Sequence, residues 1–294
     1  MVEKKMMLKY RTFTSSEQMQ WFFKRNTEPV VEDKIEYCVM ERFKVNRILF
    51  TAEHAMRKEI EVNENGKRGY ICVGDLNTDV LAKLGATYLR SAYIFPLFVR
   101  TEADAARPPE ELGKGLRLFT RVFSKGKSLR ITYIPIHKNR AYLQHLLKYH
   151  WLIEELNPRA IVSVHGMSVK RKFDVLFGFG DDYMTIGGKK EAFRFKAEFT
   201  DFLDRTFADL GIKNNLKIAV STWLLMGSRN YVLARHVIDY NKNLDKSEKK
   251  RIGMQVEFNW KGRVTRSDKA RPTIPYQILV QALGDFVFRW TNNV

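Results

Sequence analysis

The sequence predicts an α/β fold: a single domain with a mostly parallel or mixed central sheet and helices on both faces. Apolar runs of strand length alternate along the chain with stretches whose apolar residues recur at three and four. In such an alternation the helices serve as crossovers that cover a sheet on both sides. Neither an internal repeat of roughly 20–50 residues nor a Gly/Ser/Pro linker divides the chain. One domain over 1–294 follows, with 1–33 as an N-terminal extension packed on it.

The elements are read in order. "KIEYCVMERF" (34–43) and "NRILFTA" (46–52) have the apolar, β-rich composition of strands. "TDVLAKLGATYLR" has helical spacing at Val80, Leu81 and Leu84, and "AYIFPLFV" (92–99) is a strand. "TEADAARPPEELGKG" (101–115) is the most loop-like segment. "LRITYIPI" (129–136) reads as a strand, and "NRAYLQHLLKYHWLIEEL" (139–156) is the clearest helix. A stop at Pro158 precedes the short buried strand "PRAIVSVHG" (158–166). "KFDVLFGFG" (172–180) is another strand, and a long amphipathic helix then ends at Gly211. "NLKIAVST" (215–222) is a strand, "NYVLARHVIDYN" a helix, "GMQVEFNW" (253–260) a strand, and "PYQILVQALGDFVFRW" a closing helix with Pro275 near its start.

Composition narrows the classes. Apolar residues make up 45% and aromatics 13%, enough for a sizeable core. No apolar run reaches the roughly 18 residues of a membrane span. The opening "MVEKKMMLKYRTF" has no apolar stretch of secretory type, so the expectation is a cytoplasmic protein without a membrane partner. Cys38 and Cys72 lie in apolar runs and read as buried thiols. The net charge of +18 suits an anionic partner, nucleic acid included, or the charged surface of a thermophilic protein. The basic residues are dispersed rather than gathered in one arm, which does not favour nucleic-acid binding as the main role.

Two histidines occupy the same topological position. "RILFTAEHA" ends an apolar run on Glu53 and His54, and "AIVSVHG" ends another on His165. In a parallel sheet such ends share one edge, so two imidazoles far apart in the chain can converge there and stay open to water. Two imidazoles and one carboxylate form the ligand set of hydrolytic zinc sites. Rings more than about 7 Å apart would exclude this, because zinc–nitrogen bonds are only about 2 Å long. Candidate carboxylates are Glu53, Glu59 and Asp75, and Asp75 is equally suited to capping the helix that follows it. Such a site needs a general base. Glu257 fits, although between Val256 and Phe258 it faces either solvent or a polar pocket. Arg229 and Asn230, after Gly227 at a helix start, suit an anionic group. His137, His145 and His236 have no partner at ligand spacing. A metal-dependent phosphoesterase or nuclease would want carboxylate-rich paired metals, whereas the ligands here are led by imidazoles.

A longer pattern joins these residues. "AEHA" (52–55) is followed by Asp75 before a helix, then by a strand and "RTEADAAR", in which Arg100, Asp104 and Arg107 are spaced as Arg-x-x-x-Asp-x-x-Arg. Tyr149-His150, Ser163-Val164-His165 and Gln255-Val256-Glu257 come next. In order and approximate spacing, about residues 46–290 resemble the N-formylglutamate amidohydrolase family. Ser163 stands where that family carries an aspartate, and Asp104-Ala105-Ala106-Arg107 lacks its asparagine. The resemblance implies a fold like the zinc carboxypeptidases and a zinc-dependent hydrolase of amide bonds. It implies one zinc ion and a small N-acyl amino acid or peptide-like substrate with a free carboxylate. It assigns His54, Asp75 and His165 as ligands, with Glu53 as the rival of Asp75. Glu257 becomes general base and then proton donor. Arg100 and Arg107 become carboxylate-binding groups, Asp104 orients one of them, and His150 joins the substrate-binding set.

Overall fold

The computed structural model describes residues 10–26, 29–32, 35–39, 47–64, 67–112, 120–124, 127–131, 140–167, 172–221, 230–245 and 250–293. For β1, most of β2 and most of the two hairpins named below, including Cys38 and Cys72, only the backbone is described. The elements run α1 (Ser16–Asn26), β1 (Pro29–Glu32), β2 (Ile35–Val39), β3 (Ile48–Thr51), β4 (Lys58–Glu64), β5 (Lys67–Val73), α2 (Thr78–Leu89), β6 (Ala92–Pro96), β7 (Thr120–Ser124), β8 (Lys127–Ile131), α3 (Arg140–Leu156), β9 (Ala160–Met167), β10 (Val175–Gly178) and α4 (Lys189–Asp209). Then come β11 (Ile218–Val220), α5 (Tyr231–Leu233), a π-helical segment (Ala234–Asp239), α6 (Tyr240–Lys242), β12 (Ile252–Asn259), α7 (Trp260–Arg263) and α8 (Ile274–Asn293).

Eight strands form one mixed sheet in the order β1-β2-β6-β3-β9-β12-β10-β11. Its centre, β6-β3-β9-β12, is parallel, while β2 and β10 flank it antiparallel. The α/β expectation with a mixed sheet therefore holds. Two β-hairpins, β4-β5 and β7-β8, lie outside this sheet. The segment read as strand 129–136 contributes only its start, as β8 in a hairpin, and 132–136 lie outside the described residues. The segment read as strand 34–43 ends at Val39, with 40–43 likewise outside.

Side-chain parity decides where chemistry can sit. Successive residues of a strand point to opposite faces. Ile48 and Phe50 of β3, Val162 and Val164 of β9, and Met254, Val256 and Phe258 of β12 all enter one apolar layer. That layer is filled by α2, α4 and α8 through Leu81, Phe195, Phe199 and Leu283. Leu49, Ile94 and Ile161 face the other way, onto Leu146, Tyr149 and Ile153 of α3 and Val232, Leu233 and Val237. The polar residues of the same strands fall on this second parity. Thr51, Ser163 and Gln255 are register neighbours across β3, β9 and β12, and His165 is paired with Glu257 one step further along.

The N-terminal segment is tied to α8 by two glutamines one turn apart. Gln281 Oε1 accepts from Arg11 N (3.0 Å) while its Nε2 donates to Arg11 O (2.7 Å). Gln277 does the same for Phe13, at 2.7 and 3.0 Å. The side-chain amides thus satisfy a backbone that has no sheet partner there, as a buried peptide group requires. Among the described residues no helix is long and apolar enough to cross a membrane.

Candidate metal centre

Each candidate group stands at the C-terminal edge of the parallel strands or just beyond it. β3 delivers Glu53 and His54, β9 delivers His165, β12 holds Glu257, and the chain leaving β6 carries Arg100 and Asp104. Asp75 comes from the turn between β5 and α2, pinned when its N–H donates to His54 O at 2.6 Å. The turn needs the glycine before it. Gly74 has φ of +111°, and a Cβ there would lie 2.2 Å from Met56 O.

The two imidazole centroids are 4.8 Å apart, inside the limit set by the sequence argument. His54, Asp75 and His165 each offer a donor atom, and these atoms lie within 4.8 Å of one another. Asp75 Oδ2 is 3.6 Å from His54 Nδ1 and 3.7 Å from His165 Nδ1. Donors around a tetrahedral cation with bonds of about 2 Å sit about 3.3 Å apart, so the set fits such an ion with small adjustments. Both histidines are nevertheless buried, at 6% and 5% exposure, which corrects the expectation of water-exposed rings.

The far nitrogen of each ring is held. His54 Nε2 lies 2.8 Å from Asp104 Oδ1. His165 Nε2 lies 3.1 Å from Glu53 Oε2 and 3.0 Å from Ser163 Oγ. A carboxylate behind a ligating histidine fixes its tautomer and raises its basicity. With Nε2 turned outward to these partners, each Nδ1 faces Asp75, and once it has lost its proton it can offer a lone pair to a cation there. Glu53 is fully engaged in this role, since Thr51 Oγ1 donates to Oε1 at 2.6 Å and Ser163 Oγ reaches both oxygens at 2.9 Å. It therefore stands behind His165 and outside the three-donor group. Nor is Asp75 the helix cap, for the N-cap position is Asn77 and its side chain makes no cap bond.

Asp104 gathers more than the one arginine expected of it. Its Oδ2 accepts from Arg100 Nε at 2.8 Å and is 3.3 Å from Arg107 Nε, while Oδ1 meets His54. Burial pushes the Asp104 carboxyl up, but Arg100 and His54 outweigh it and hold it far below the usual range. Burial acts the same way on Asp75, and the hydrogen-bonding His165 and His54 rings hold it well below its ordinary value. His165 shows the converse: burial disfavours its charge, yet Asp75 and Glu53 raise it well above the ordinary histidine value. Glu257 is raised, by burial first and then by Asp75, against the pull of His165. It is 4% exposed, so it faces a polar pocket rather than solvent. Gln255 Nε2 donates to its Oε1 at 2.7 Å.

Asn230 caps the start of α5, accepting from Leu233 N at 3.4 Å, and turns Nδ2 to Ser163 Oγ at 2.7 Å and Gln255 Oε1 at 3.2 Å. Arg229 lies outside the described residues. His150 makes its polar contact with another histidine. Its Nδ1 meets His236 Nε2 at 3.1 Å, and its ring lies edge-on to Tyr231. His236 thus has a partner after all, supplied by the π-helical turn that carries it; His145 packs against Phe98, and His137 is outside the described residues.

Burial of this pair, reinforced by Arg235, pushes His150 down to about 3; burial, His150 and Arg235 push His236 down to about 2. Unfolded histidine takes up its proton near pH 6.5. Between there and pH 3 the unfolded chain binds protons that the folded pair refuses, so stability falls as pH falls. Each ring contributes a slope of about 1.4 kcal/mol per pH unit. His236→Gln, which keeps a side-chain nitrogen near His150, is expected to flatten the acid limb by about that much. Urea unfolding at pH 4 to 7 measures it, and parallel curves for variant and wild type would refute it.

Sequence inspection passed over Thr51, Ser163 and Gln255 as working parts, although polar residues alternating with apolar ones inside buried strands were their signal. It also passed over Arg263, described below, which one basic residue among 51 gives no means to single out.

The molecule is an α/β protein in which two parallel strand ends and the turn before α2 bring together a His-Asp-His group, its histidines buried and its aspartate half-buried, with ligand atoms close enough to hold a cation. No protein-family model matches the chain, and no curated protein matches it in sequence. Similarity appears among solved structures. A gene product of Agrobacterium tumefaciens aligns with a TM-score of 0.50 and 11% identity over 88% of this chain and 92% of its own. The two share a fold. N-formylglutamate amidohydrolase from Ralstonia eutropha JMP134 aligns at 0.49 with 13% identity, covering 90% and 98%. A metallo-carboxypeptidase from Burkholderia cenocepacia aligns at 0.45 with 9% identity, covering 95% and 69%.

Proposed function

We propose that the chain is a zinc-dependent amidohydrolase that cleaves a small N-acyl amino acid or peptide-like substrate bearing a free carboxylate. The observation that carries this is the group of two Nδ1 atoms on buried histidines and one half-buried carboxylate oxygen, with a carboxylate behind each imidazole. The sequence pattern shared with the N-formylglutamate amidohydrolase family points the same way. His54, Asp75 and His165 would hold the ion. Zinc supplies Lewis acidity, lowering the pKa of water and polarising a carbonyl.

The remaining work falls to the chain's own residues. Glu257, buried and raised above the ordinary carboxylate value, takes a proton from water and returns it to the departing nitrogen. Gln255 holds that carboxyl in place. Arg100 and Arg107 present their Nε edges to Asp104, and Arg107 Nη1 also lies 3.9 Å from Glu111 Oε2; the terminal nitrogens of Arg100 and Nη2 of Arg107 would grip a substrate carboxylate. The Asp104 carboxylate couples this anion-binding pair to the His54 ring. In a screen of N-acyl amino acids and short peptides, one equivalent of zinc is expected to elicit hydrolysis that a chelator abolishes. Substrates with a free carboxylate should outrun their amidated counterparts. Zinc-loaded protein inert toward every member of the screen would overturn the proposal.

A further inference from the structure

Arg263, in α7, is 4% exposed, and no carboxylate of the described residues lies within ion-pair distance of its guanidinium. Its three nitrogens go to backbone carbonyls instead. Nη1 donates to Leu76 O at 2.6 Å, Nε to Phe258 O at 3.1 Å, and Nη2 reaches Met167 O at 3.4 Å. Those carbonyls are not scattered. Leu76 follows Asp75, Phe258 follows Glu257, and Met167 lies two residues past His165. The link to the Asp75 turn is reciprocal, since Asn77 Nδ2 donates to Arg263 O at 2.6 Å. The strand makes room for the cation with a missing side chain: a Cβ on Gly166 would lie 2.3 Å from the guanidinium carbon. Gly166 N in turn donates to Asp75 Oδ2 at 3.0 Å.

A buried charge without an ion partner is costly, and only a full set of hydrogen bonds offsets it. Here that set is spent on the three chain segments that deliver a ligand, a second ligand and the general base. We propose that Arg263 is a positioning residue: one guanidinium fixes the mutual spacing of Asp75, His165 and Glu257 by clamping the chain just beyond each. Lysine cannot do the same, because a single ammonium on a flexible stem cannot span three carbonyls in a planar fork. The clamp stands on contacts in the metal-free chain, while its effect on zinc rests on the function proposed above, so the two are tested separately.

Hydrogen exchange of the metal-free full chain is compared for wild type, Arg263→Met and Arg263→Lys. Exchange is expected to quicken tenfold or more in 74–77, 164–167 and 256–259 for Arg263→Met, with α4 and α8 unchanged. Arg263→Lys should fall between the two and serves if Arg263→Met does not fold. Unchanged exchange in the three segments, or an equal rise across α4 and α8, would overturn the clamp. In the second arm, zinc titration is expected to show affinity 10–100-fold weaker in Arg263→Met and partly restored in Arg263→Lys, as for other supports of metal ligands. Equal zinc affinity in all three proteins would overturn the positioning role. A wild type that binds no zinc would overturn the metal-hydrolase reading, and the exchange arm would still decide the clamp.

Discussion

Glu257→Gln is expected to lower turnover on an amide substrate by about 10²–10⁴-fold, the range spanned by loss of a positioned acid–base group. The substitution keeps shape and hydrogen bonding: the amide oxygen can still accept from Gln255 Nε2, now 2.7 Å from the carboxyl. What it removes is the capacity to take up and return a proton. Glu257 is not among the three donor atoms, so zinc affinity should be nearly unchanged. Stability should hold or rise. A carboxyl raised by burial is disfavoured as a charge at neutral pH, and a neutral amide relieves that cost. Steady-state kinetics on zinc-loaded protein, zinc titration and thermal melts give three readouts. Turnover within a few-fold of wild type would remove Glu257 from the mechanism.

His165→Ala and His54→Ala are each expected to weaken zinc by more than about 100-fold, since removing even a support of a ligand costs 10–100-fold. Activity at limiting zinc should vanish with it. The wild-type affinity should itself depend on pH with a definite sign. Asp75 and Glu53 keep His165 charged in the metal-free chain. A cation must displace that proton, so affinity climbs as pH rises, by at most about tenfold per unit for one proton. In His165→Ala that dependence should shrink. Metal analysis after dialysis, repeated between pH 6 and 8, checks both statements; stoichiometric zinc retained by both variants would sink the assignment.

Much of this was legible because it depends on periodicity. The parallel core, the helices over it and the meeting of His54 with His165 follow from apolar runs that end on imidazoles. Choosing between Asp75 and Glu53 was not possible from spacing, since Glu53 adjoins His54 and Asp75, two strands further on, also follows an apolar run that could bring it to the same edge. The structure separates them because Glu53 runs across to β9, where Ser163 and His165 occupy both of its oxygens. Ser163, where the family that the sequence resembles carries an aspartate, reads as a departure in sequence. In space, the Glu53 carboxylate reaches Ser163 and lies 3.1 Å from His165 Nε2. The hairpin β4-β5 and the pairing of β7 with β8 escaped notice because they lie outside the central sheet and their sequences carry no long apolar run. His150 and His236 are 86 residues apart, and their meeting depends on a π turn that no simple period reveals.

The alternation of β9 and β12 has an evolutionary consequence. Toward the ends of these strands the polar groups Ser163, His165, Gln255 and Glu257 fall on odd numbers, while the core residues Val162, Val164, Met254 and Val256 fall on even ones. Deleting one codon within either strand would swap the two sets at a stroke, sending imidazole or carboxylate into the phenylalanine layer and valines into the cleft. Descendants of this gene should therefore gain or lose residues in the connecting loops, with the interiors of these two strands fixed in length.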